Sequence, residues 1–136
     1  MPLPVPGLQN AFRDDIEALA QEAYDELPEE VRALTGDVVI RVTDFATDEV
    51  LRAMNARTPY DILGLFQGVG RVQSAATPET GQLPNMVWLY REPILNYWRP
   101  RPESLKQVVA HVLIHEIGHH FGLSDADMER IDQEDD

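Results

Sequence analysis

From Leu105 to Ile117 the chain has apolar residues on almost every side of a would-be helix: Leu105, Val108, Val109, Val112, Leu113, Ile114 and Ile117 leave no broad polar face. A helix from about Glu103 to Phe121, closed by Gly122, must then lie at the centre of the domain, with the rest of the chain built to cover it. Yet the same helix carries His111, His115, Glu116, His119 and His120 in its second half. Burying imidazoles and a carboxylate without partners is costly, so these residues need a shared purpose.

Their spacing supplies one. His115 and His119 are four residues apart, so on a helix both rings leave the same face one turn apart and can grip a single ion. Glu116 is turned about 100° from His115, which suits a carboxylate that holds a metal-bound water without ligating the metal. Gly122 lets the chain leave the helix in a left-handed conformation, after which Asp125 can swing back as a third ligand. An acid just after Ser124 is also what the dipole of a new helix favours, so Asp125 has two readings. Three protein ligands leave a fourth position open, the mark of a catalytic rather than a structural site. The chain has no cysteine, so a metal must be held by His and carboxylate, and Zn2+ is the expected ion. An HExxH pattern arises by chance in roughly 0.3% of chains of this length. His111, one turn before His115, reads as a satisfied core histidine, or else as a residue behind the ligands or a substrate contact. His120 points elsewhere and reads as polar surface or a carboxylate partner. Trp88, Tyr90 and Tyr97 read as packing aromatics, and no oxyanion stabiliser is assigned.

The remainder supplies the cover. At 136 residues the chain is one domain. After an extended arm over residues 1–8, Phe12, Ile16, Leu19, Ala20, Ala23 and Leu27 recur at helical spacing. Pro28 opens a further turn that ends near Thr35 and Gly36. Val38 to Val42 reads as a buried strand, and Val50, Leu51 and Met54 as a short helix. Ile62 to Gly68 and Met86 to Arg91 read as two more strands, with Gly64 marking a bulge or a close backbone approach. Val69 to Asn85 reads as a mobile flap. Pro93 and the Arg99–Pro102 step break the chain before the apolar helix. Ser124 and Asp127 have capping-box spacing and start a last helix through Ile131, leaving 132–136 as a frayed acidic tail. Helices and short strands in this order make an α+β domain.

A net charge of -13 argues against nucleic acid as a partner. The one basic concentration, Arg91, Arg99, Arg101 and Lys106, reads as a solvated rim able to steer an acidic ligand. The first residues lack the basic start and apolar run of a secretory signal, and no stretch reaches the roughly 18 apolar residues of a membrane span. The expectation is a cytoplasmic protein with no membrane partner.

HEIGHHFGLSD resembles the metzincin-type signature HExxHxxGxxH with Asp in the last position. Together with DILGLFQGVG and LPNMVWLYREPI, in this order, it resembles a small bacterial zincin-like family of zinc metallopeptidases over roughly residues 10–133. The resemblance implies a minimal zincin fold, with a small mixed sheet on the HExxH helix, ligands His115, His119 and Asp125, and Glu116 as base. Only eleven residues follow Asp125, too few for the lower subdomain of metzincins, and Met128 can sit under the metal without replacing that subdomain. Two further hypotheses stand beside a peptidase acting on peptides or proteins. One is a zincin-like module whose metal is not catalytic and whose cleft a protein partner completes. The other is a metal-dependent RNA hydrolase, because the H-x3-H-x5 spacing also resembles the bacterial rRNA-maturation metalloprotein family; Glu116 and the charge oppose it.

Overall fold

The computed structural model describes residues 12–68 and 85–134, with only the backbone of 132–134. The extended arm and the expected flap lie outside the described residues, apart from Asn85. Helix α1, Arg13–Asp25, starts where the Asp15 carboxylate accepts the Phe12 N–H at 3.0 Å. It buries Ile16, Ala20 and Ala23, one per turn. Pro28 opens α2, Glu29–Thr35, and Gly36 at φ 62° ends it. Strand β1, Val38–Thr43, follows directly. Thr47 caps the short α3, Asp48–Ala53, accepting the Val50 N–H at 3.2 Å. A single 3-10 turn at Pro59–Asp61 leads into β2, Gly64–Gln67. Strand β3, Asn85–Tyr90, then passes without a gap into α4, Arg91–Trp98.

Helix α4 corrects the reading of Pro93 as a breaker. Pro93 is the third residue of the helix, in the turn whose N–H groups have no intrahelical acceptor, so its missing N–H removes no bond. It is followed by α5, Leu105–Phe121, and α6, Asp125–Glu134. Helix α6 continues three residues past Ile131, the expected end, because no Gly or Pro interrupts it.

The three strands form one mixed sheet in the order β1-β3-β2. β1 and β3 run parallel, Val38 opposite Asn85 and Thr43 opposite Tyr90. β2 lies antiparallel on the other side of β3, Gly64 opposite Leu89 and Gln67 opposite Met86. Ile40, Val42, Phe66, Val87 and Leu89 are buried from the sheet, and they join one core with eight buried residues of α5. The expected α+β class and the central helix are both present. Lys106 on α5 reaches Glu22 on α1 at 2.8 Å and Glu26, the residue that follows α1, at 3.0 Å. Arg91 pairs with Asp44 and Glu92, and the Arg101 guanidinium lies 3.4 Å over the Tyr97 ring. The basic concentration is thus largely engaged within the molecule. Among the described residues no helix is long and apolar enough to cross a membrane.

Candidate metal centre

Helix α5 is held at both ends by its own sequence. Ser104 accepts the Gln107 N–H at 3.1 Å while the Gln107 side chain accepts the Ser104 N–H at 2.9 Å, a reciprocal cap. At the other end Gly122 takes φ 73°, ψ 26°, and the Leu123 N–H returns to the Gly118 carbonyl at 2.9 Å. Ile114 and Ile117 are buried, His115 and Glu116 are half-buried, and His119 is exposed.

The His115 and His119 rings leave one face with centres 5.7 Å apart and planes 83° apart. An imidazole nitrogen stands about 2.0–2.1 Å from zinc and the ring centre roughly 1.2 Å further, so two rings on one ion keep their centres within about 6.5 Å. This pair meets that limit, so its spacing fits a shared ion. The chemistry also fits, since neutral imidazole is a common zinc ligand.

Glu116 lies on the next face of the helix, under β2. The close approach expected at Gly64 occurs here. A Cβ on Gly64 would stand 3.0 Å from the Trp88 carbonyl oxygen, 3.1 Å from Val112 Cγ1 and 3.3 Å from Glu116 Cγ. With any side chain at this position these neighbours would have to give by a few tenths of an ångström, so glycine suits the close approach of the strand to the Glu116 side chain. That shielding has an electrostatic effect, because burial disfavours the charged form and pushes the Glu116 carboxyl up to about 7. Tyr90, 3% exposed at the end of β3, has its phenol pushed up to about 12, by burial first and by the negative charge of Glu116 second. The influence runs one way because Tyr90 is uncharged at the pH where Glu116 titrates. Tyr90 therefore belongs to the surroundings of Glu116, which its place among ordinary packing aromatics did not reveal.

The other candidates are placed as follows. Asp125 is the first residue of α6 and exposed, where the helix dipole favours an acid. Among the described residues no group of three or more His, Cys, Asp or Glu side chains is placed to hold a metal ion, while the His115 and His119 rings lie on one face. His111 lies one turn before His115, ring centres 4.1 Å apart and planes tilted by 41°. His120 turns away from this face and lies against Phe66, ring centres 4.3 Å apart, beside Gly68. Met128 is 1% exposed and packs on Gly118, tying α6 to α5.

A family model described as Zincin-like metallopeptidase matches residues 35–134, from the end of α2 through α6. No curated protein matches the chain. The match spans well over half of the sequence, and the chain belongs to the zincin-like metallopeptidase family.

Proposed function

We propose that this member of the family is a zinc-dependent peptidase in which His115 and His119 hold the ion, Asp125 completes the ligand set, and Glu116 is the general base. The observation that carries this reading is the position of Glu116, half-buried beneath β2 beside the histidine pair, with its carboxyl held near 7. A base whose pKa lies near the working pH is ionised often enough to accept a proton and basic enough to keep it. Zinc, when bound, supplies a Lewis acid that polarises a peptide carbonyl and acidifies a nearby water. Glu116 takes the proton from the attacking water and passes it to the leaving nitrogen. Among the described residues β2 pairs only with β3, so its other edge can accept an extended peptide as an added strand.

The test is cleavage of a broad peptide library by the zinc-loaded protein beside Glu116→Gln. Cleavage that the substitution abolishes is expected. Wild-type and variant proteins indistinguishable over all conditions would leave the peptidase reading without support.

The exposed position of Asp125 favours a second reading, a zinc-binding module without hydrolytic activity whose partner protein completes the site. It predicts zinc-dependent stability with no cleavage of any library member.

A further inference from the structure

The pair His111 and His115 is closer than the proposed ligand pair, and its geometry is of another kind. Two imidazoles on one tetrahedral ion have ring centres roughly 5 Å apart. At 4.1 Å and a 41° tilt, the His111 and His115 rings are in oblique contact, part-way between stacked and edge-on. His111 is half-buried, between the buried Ala110 and Val112 of α5. His115, one turn further along, is half-buried in the same way, after the buried Ile114.

We propose that His111 is a positioning residue, which holds the His115 ring by this ring contact so that its nitrogen is aimed before the ion arrives. The inference rests on the reading of His115 as a ligand. An imidazole free to rotate must lose that freedom when it binds metal, and the loss weakens affinity. A ring already confined between its helix and a neighbouring flat ring loses less. The required property is the face of residue 111, so another flat ring of similar breadth serves, whereas a methyl group does not. This separates ring contact from the more common device of a second group hydrogen-bonded to the far nitrogen of the ligand.

The experiment measures zinc affinity by competition with a chromogenic chelator, at fixed pH, for wild type, His111→Phe, His111→Ala and His115→Ala. Melting of the metal-free proteins is recorded in parallel. His111→Phe is expected to stay within about threefold of wild type, and His111→Ala to lose about tenfold or more, the range seen when support behind a ligand is removed. The gap between Phe and Ala must persist after any difference in metal-free melting is taken into account. If His111→Ala does not fold, His111→Leu replaces it, keeping bulk without a flat face and losing affinity as Ala would. Wild-type affinity in His111→Ala or its Leu substitute overturns the inference, and so does an equal loss in His111→Phe, which would assign the role to a nitrogen. Undiminished affinity in His115→Ala overturns the metal reading itself and this inference with it. A loss in His115→Ala alone leaves the metal reading standing and removes only His111.

Discussion

In the proposed mechanism Glu116 would be under two opposing demands, since a base near a cation should be charged and a side chain beneath a strand should not. In the metal-free protein the second demand dominates, and the carboxyl titrates near 7 instead of 4.5. The unfolded chain then releases this proton at lower pH than the folded one. The stability associated with protonated Glu116 is fully present below about 4.5 and is lost as the pH rises through about 7. One pKa unit is worth about 1.4 kcal/mol, so the loss amounts to roughly 2–3 kcal/mol for a group that keeps some solvent. Glu116→Gln has no proton to release. In urea titrations without metal it should match wild type at pH 4 and exceed it at pH 8; equal stabilities at pH 8 would remove burial as the cause of the shift. Gly64 is the other side of this contact. A Cβ there meets a backbone carbonyl at 3.0 Å, which cannot rotate away as a side chain can. Gly64→Ala should cost about 1–3 kcal/mol in the same titration, the range for overpacking. A neutral result would show that β2 moves off the helix freely.

Helix α5 shows why some elements were legible and others were not. Its apolar content, its histidine spacing and Gly122 are local signals that agree with one another, and the helix ends where they say. The close approach at Gly64 was legible for the same reason, because a glycine within a strand has few other uses. Helix α4 was missed because Pro93 is a breaker only in a helix interior, and its position three residues in depends on where β3 stops. Position decides the sign of such a signal. The setting of Asp125 was ambiguous for a similar reason, since ligand and helix-start acid need the same residue at the same place. The electrostatic influence of Glu116 on Tyr90 acts between α5 and β3, and no spacing encodes it. The caps of α5 give the prediction at this scale. Ser104→Ala leaves the Gln107 N–H without its acceptor and should cost about 1 kcal/mol by thermal melting. Gly122→Ala forces a side chain into φ 73° with no atom within 4 Å of the new Cβ, so its cost is backbone strain alone, also about 1 kcal/mol. A loss several times larger at Gly122 would mean that the turn into α6 has collapsed.

At the scale of the whole molecule, the proposed metal site would join α5 and α6. α6 is tied to α5 through Met128 on Gly118 and through the turn at Gly122, while the proposed ligands lie on both helices. If Asp125 closes on the ion, binding gathers α6 onto α5, and zinc stabilises that corner of the fold as well as the site. A ligand that binds only the folded state stabilises it by about 2.7 kcal/mol at one hundred times its Kd. For a chain of this size that should raise Tm by roughly 8–15 °C, and a chelator should reverse the gain. Asp125→Ala separates the alternatives. With Asp125 as a ligand, the variant binds zinc more weakly and loses most of the rise at the same zinc concentration, and hydrogen exchange along α6 no longer slows when zinc is added. With Asp125 serving only the dipole of α6, its loss costs about 0.3–1 kcal/mol with or without metal, and the zinc-induced rise is unchanged. The difference between the two melting shifts, rather than either Tm alone, decides whether the chain carries a three-residue site or a histidine pair that awaits a ligand from elsewhere.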